Sequence, residues 1–369
     1  MSERRAYKDY FDADAANQLA DQIGRSYQLD RRRFKRLCTQ GLKALEFHGR
    51  VQQFSKALRE TLPESVPDAL AILTSSLPEP LPDCEAVTDG WLQWPIGQFI
   101  ADYGVDEIEA SFEAMIELTQ RFTSEFAVRP FVERHPKTTF RRLKKLTTHE
   151  SPHVRRWCSE GVRPRLPWGK KLTELVREPD PIFPILERLK DDPELYVRRS
   201  VANNLNDIAK DHPGQVIDRC RVWSGGSEER QWVIRHALRT LVKDGDTRAL
   251  ELMGFAAPSE IDSKLAARPG RISIGDHTVL FAEVTNGSNA TQRVLVDFVV
   301  HFVRQKGQRS EKVFKWKTVE LAPGESVELE KKLRMRETTV RALYPGEHLV
   351  DLQLNGVRMA STSFQLRKP

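Results

Sequence analysis

Ser151-Pro-His-Val-Arg-Arg-Trp-Cys-Ser-Glu-Gly-Val162 returns 43 residues later as Glu194-Leu-Tyr-Val-Arg-Arg-Ser-Val-Ala-Asn-Asn-Leu205, and its Val-x-Arg core returns 36 residues further on as Val233-Ile-Arg235. These offsets bracket the roughly 40-residue period of HEAT-type helical pairs, in which each unit buries its apolar face only by stacking on its neighbours. Val162, Leu205 and Leu241 stand at one common offset behind the starting valines, as core positions should. Pro136, Pro152, Pro193 and Pro213 punctuate the helices, and Asp191-Asp192-Pro193-Glu194 reads as a turn followed by an acidic first turn. The reading is a curved helical stack.

The helical spacing holds to about residue 257 and then gives way to strand-like alternation. Examples are Arg271-Ile-Ser-Ile274, Thr278-Val-Leu-Phe-Ala-Glu-Val284, Val294 to Val303 and Leu349 to Leu354, separated by Pro269-Gly270, Asn286-Gly287, Pro323-Gly324, Pro345-Gly346 and Asn355-Gly356. Short strands at such intervals predict a two-sheet sandwich of immunoglobulin type without a cysteine pair. The expected fold is therefore mainly α: a HEAT-like α-solenoid over 1–257 followed by an immunoglobulin-like β-sandwich over 258–369. Within the first part, residues 61–90 hold five prolines and read as a Pro-interrupted connection, while Leu118 to Phe131 reads as helical.

Charge is segregated along the chain. Pro130 to Lys171 contains twelve Lys or Arg against three acids, more positive than the net +6 of the whole protein. Glu60 to Ala110 contains eleven acids and no basic residue. A basic block holding Trp157 and Trp168 suits a partner made of phosphates, although a solvated helix face has the same composition. Arg155, Arg156, Arg198, Arg199 and Arg235 occupy one register of successive repeats and would line one wall of a solenoid. The strand-rich part adds lysines, among them Lys306, Lys312, Lys315, Lys317, Lys331 and Lys332. No apolar run approaches the roughly 20 residues that span a bilayer, and Met1 to Asp9 lacks a signal-peptide core, so a cytoplasmic chain without a membrane partner is expected. Four cysteines without Cys-x-x-Cys spacing indicate neither a disulfide framework nor a zinc site, and no metal or cofactor motif is present.

The chemistry-bearing candidates are isolated carboxylates. Glu125 would stand beside Phe122 on a helix, paired with Arg121 or Arg129 at four-residue spacing or else half-buried for a purpose. Glu160 is the lone acid among Arg163, Arg165, Lys170 and Lys171, where Gly161, Pro164 and Pro167 break the helix that the other repeats continue. Irregular backbone on a rigid scaffold is a usual place for function. Trp168 ends that excursion, as core or as a surface for a sugar or base. Asp207 shares a repeat helix with Asn203, Asn204 and Asn206, poor helix formers that stability does not call for.

Phe122-Thr-Ser-Glu-Phe-Ala-Val-Arg-Pro-Phe131, Trp157-Cys-Ser-Glu-Gly-Val-Arg-Pro-Arg-Leu-Pro-Trp-Gly169 and Val197-Arg-Arg-Ser-Val-Ala-Asn-Asn-Leu-Asn-Asp-Ile-Ala-Lys210, in that order and spacing, resemble the AlkC family of bacterial DNA alkylation repair glycosylases, relatives of the AlkD family. The resemblance implies hydrolysis of the glycosidic bond of small cationic lesions, 3-methyladenine and 3-methylcytosine, in duplex DNA without base flipping. It places Glu125, Glu160, Trp168 and Asp207 around the lesion's deoxyribose. Arg155, Arg156, Arg163, Arg165, Arg198 and Arg199 are the expected DNA contacts, a monomer the expected state, and double-stranded DNA with alkylated bases the expected partner. The competing reading is a non-catalytic scaffold that binds DNA or protein.

Overall fold

The computed structural model describes residues 6–84, 90–305, 307–338 and 341–368; Met1–Arg5 and Lys306 lie outside the described residues. Its helices are α1 (Ala13–Ile23), α2 (Arg31–Thr39), α3 (Phe47–Thr61), α4 (Val66–Ser75), α5 (Trp94–Tyr103), α6 (Ile108–Thr119), α7 (Arg129–Arg134) and α8 (Pro136–Leu146). They continue as α9 (Pro152–Glu160), α10 (Thr173–Arg177), α11 (Phe183–Leu189), α12 (Leu195–Ile208), α13 (Pro213–Trp223), α14 (Glu228–Ala237), α15 (Arg239–Asp244) and α16 (Thr247–Leu252). None of the described helices is long and apolar enough to cross a membrane. Contacts divide the chain into two compact units, Met1–His212 with Ser224–Ala237, and Pro213–Trp223 with Leu238–Pro369.

In the first unit Val154, Val197 and Val233 are fully buried on α9, α12 and α14, and α12 packs between the other two. Val162 and Leu205 are buried as their shared offset requires, while Leu241 of the second unit is half-buried. Two local expectations change. The proline-rich 61–90 stretch contains α4, because Ser65 caps the free N–H of Asp68 and Pro67 sits in the first turn, where a missing N–H costs nothing. Leu118 to Phe131 is not one helix: α6 stops at Thr119, turns follow, and α7 restarts with Pro130 in its first turn. Main-chain carbonyls released there are taken up locally, as when the Ser124 hydroxyl donates to Met115 O at 2.9 Å.

The second unit carries β1 (Ile261–Arg268), β2 (Arg271–Ser273), β3 (His277–Asn286), β4 (Gln292–Val303), β5 (Arg309–Leu321), β6 (Ser326–Arg334), β7 (Gly346–Leu354) and β8 (Val357–Arg367). They form a three-stranded sheet, β1-β3-β6, and a five-stranded sheet, β2-β8-β7-β4-β5. Phe298, Val300 and Phe302 of β4 meet Leu280 of β3 and Leu333 of β6 in the core, as period-2 alternation requires. The opposite face of β4 is also buried: Leu295 packs with Leu250 of α16 and Phe255.

Candidate functional site

Three of the candidate carboxylates come together in the first unit, strung on two guanidiniums. Glu125, in the turn between α6 and α7, accepts from Arg156 Nη1 at 2.5 Å and from the Thr123 hydroxyl at 2.8 Å. Arg156 Nη2 lies 3.4 Å from Glu160 Oε1, one helical turn away on α9. Arg163 Nη1 donates to the same oxygen at 2.6 Å, and Arg163 Nε reaches Asp207 Oδ2 at 2.8 Å. Ser200 of α12 closes the second oxygen of Glu160 at 2.6 Å, and Lys210 donates to Asp207 Oδ1 at 3.1 Å. The order is therefore Glu125, Arg156, Glu160, Arg163, Asp207. All three acids are buried, so each charge depends on its partners to offset the loss of water.

The environments pull the acids apart. Burial pushes the Glu125 carboxyl above its ordinary range, a rise that Arg156 and the Thr123 hydrogen bond counter only in part. Burial acts on Glu160 in the same direction, but Arg156, Arg163 and Ser200 outweigh it and hold this carboxyl low. Two carboxylates separated in this way can take different parts in one reaction. A cavity of about 170 Å³ borders Glu125, with Thr123, Arg156, His153 and Tyr196 among its walls. At roughly 30 Å³ per water that volume admits solvent to the carboxylate. Tyr196 also lies beneath Arg156, its ring centroid 5.3 Å from the guanidinium carbon, and fixes the cation between its two acids.

Trp168 closes the broken segment after α9 and is half exposed. Its backbone is left-handed at φ 64°, a conformation that a bulky residue adopts only where its surroundings impose it. Those surroundings are aromatic. Tyr7 and Phe47 meet the ring edge-on at 5.3 and 5.4 Å, Trp94 stacks at 6.2 Å, and Trp91 lies 6.3 Å away. Trp94 in turn stacks on Phe126 at 4.8 Å. Its members come from positions 7 to 168, so local spacing does not mark this floor beyond the pair Trp91-x-x-Trp94.

The pairings expected of Glu125 do not form. Arg121 is held by Glu117, and Arg129 turns toward main-chain oxygens of the 161–170 segment. The six arginines separate by environment. Arg155 is locked to Asp192, and Arg198 donates to the carbonyls of Asp192 and Pro193. Arg156 and Arg163 belong to the acid chain. Arg165 pairs with Asp211 at a partly exposed position, and Arg199 is exposed.

Residues 262–368 match the family described as "Uncharacterised protein YhaZ, C-terminal Ig-like domain". The chain is 35% identical over 362 residues to the "Uncharacterized protein YhaZ" of Bacillus subtilis (strain 168), covering 97% of this chain and 99% of that protein. A solved structure, "Pseudomonas fluorescens alkylpurine DNA glycosylase AlkC bound to DNA containing an abasic site analog", superposes with a TM-score of 0.90 at 33% identity, over 98% of this chain and all of that one.

Proposed function

This chain belongs to the AlkC family, and from that premise we propose that it is a monofunctional alkylpurine DNA glycosylase that hydrolyses the glycosidic bond of small cationic bases, 3-methyladenine and 3-methylcytosine, in duplex DNA. The observation that carries the proposal is the buried Glu125, Glu160 and Asp207 set, ordered through two arginines near the broken segment that presents Trp168.

The chemistry asks for this. A base alkylated at N3 is already cationic, so its departure needs no general acid, and the barrier lies in forming an oxocarbenium-like sugar. A carboxylate beside the sugar stabilises that cation, and a second orients or deprotonates water. Asp207 and Glu125 take these places in the proposal, with Trp168 packed against the deoxyribose. Glu160, saturated by Arg156, Arg163 and Ser200, holds the other two in position. Arg165 and Arg199 are the readiest of the six arginines to meet phosphates; Arg155, Arg156, Arg163 and Arg198 shape the surface from within. The helical repeats form a HEAT-like solenoid in this reading, and the lesion reacts without leaving the stack. The aromatic floor beneath Trp168 leaves half of that ring exposed, enough to meet a sugar edge.

Methylated duplex DNA incubated with the protein should release 3-methyladenine and 3-methylcytosine but little 7-methylguanine, and leave abasic sites uncut. Strand cleavage at those sites, or release of 7-methylguanine at a matching rate, would contradict the assignment.

A further inference from the structure

Arg129 has no part in the chemistry above, yet it is 2% exposed and its guanidinium is spent on main-chain oxygens. Nε donates to Lys170 O at 2.8 Å, Nη1 to Gly161 O at 3.1 Å and to Arg163 O at 3.0 Å, and Nη2 again to Lys170 O. Those carbonyls mark the start, the early part and the end of the segment that replaces a repeat helix and carries Trp168. Its other main-chain closures include Gly169 N to Leu166 O and Leu172 N to Pro164 O, both at 3.1 Å, and Arg163, Arg165 and Lys170 reach outward from it to Asp207, Asp211 and Glu133. Burial lowers the guanidinium's pKa to about 10, a desolvation that a surface charge avoids.

We propose that Arg129 is a positioning residue of this centre, binding both ends of the 161–170 segment so that Trp168 keeps its left-handed backbone and presents its exposed face to the lesion's sugar. A planar fork with five donors in fixed directions can span three carbonyls at once, and a lysine cannot. The inference rests on the glycosylase reading and on Trp168 meeting the sugar.

A double-mutant cycle tests it. Misplacing a reacting group by 1 Å costs on the order of 100-fold in rate, and interacting residues give non-additive losses. Arg129→Lys should lower single-turnover excision by about 10-fold or more in the wild-type background and by less than about 2-fold once Trp168→Ala is present, with duplex affinity unchanged in both. Equal losses in the two backgrounds would overturn the assignment. Should Arg129→Lys not accumulate in folded form, Gly169→Ala strains the same clamp from the segment's side. Its added Cβ would lie 3.1 Å from Leu166 Cδ2 and 3.4 Å from Arg129 Nε. The same dependence on Trp168 is expected of it, and its absence would likewise refute the clamp. A wild-type protein that released no base would overturn the glycosylase reading together with this one, whereas an active protein with additive losses removes only the role of Arg129.

Discussion

Glu160 and Asp207 share one guanidinium, that of Arg163, and Glu160 and Glu125 share another, that of Arg156. Removing different members of this chain should have different consequences. Asp207→Asn and Glu125→Gln should each lower single-turnover excision by about 100-fold or more while changing duplex affinity by less than about 3-fold, because in the proposed reaction both act on the charge that develops in the transition state. Glu160→Gln leaves two buried guanidiniums short of a counter-ion and should cost stability instead, about 3 kcal/mol or more in urea unfolding. The pH behaviour follows from the directions of shift. Glu160, held low when folded, contributes stability that is present above its unfolded pKa and is lost as pH falls through its folded value. Glu125, pushed up, has the opposite sign: its contribution is present below its unfolded pKa and declines as pH rises through its folded value. Excision should therefore fall on the acid side at a pH above the ordinary glutamate range, and Glu125→Gln should abolish that limb of the profile. A limb unchanged in Glu125→Gln would assign it to another group.

At the scale of single elements, α12 shows how far the sequence could be read. Val197 and Leu205 were legible as core positions because the repeat returns them, and both are buried together with Val201 and Ile208 on the same stripe. The asparagines that looked out of place have partners: Asn204 donates to Ser159 O at 2.8 Å and Asn206 to Ala237 O at 2.9 Å, so they tie α12 to its neighbours. Nothing in local spacing names those carbonyls. Glu125 was misplaced on a helix for a similar reason, since periodicity cannot see that Ser124 and Thr119 stabilise a turn. The strands divide likewise. The apolar β4 announced itself, whereas β6, reading Ser-Val-Glu-Leu-Glu-Lys-Lys-Leu-Arg, buries only Leu329 and Leu333. Strand β4 itself holds an acid, Asp297, whose carboxyl burial pushes up to about 6 despite Lys315 and Lys243 nearby. With its folded value above the free value of 3.8, the sandwich should lose stability as pH rises from about 4 to 7. Asp297→Asn should remove that decline and stabilise by roughly 1–3 kcal/mol at pH 8 in urea unfolding; a variant less stable at pH 8 would show that the ionised carboxylate is needed.

Across the whole molecule, segregated charge was legible as a preference for a polyanion, but the paired arginines show why composition overstates it. Much of the basic block between Pro130 and Lys171 is engaged internally: Arg142, Arg155, Arg156, Arg163 and Arg165 hold carboxylates. Arg199→Ala should weaken duplex binding for every sequence and reduce the slope of log affinity against log salt by about 1. In the second unit, Lys315 and Lys317 are exposed on β5, the edge of the five-stranded sheet. Lysines there blunt an edge against aggregation. The proposed function places excision of a cationic base on Asp207. Single-turnover release of 3-methyladenine from methylated duplex DNA, wild type beside Asp207→Asn, addresses it most directly. Rapid release by the wild type is expected, with loss of that release but retained duplex binding in the variant; full-rate release by Asp207→Asn, or salt-sensitive binding without any release by the wild type, would contradict that role.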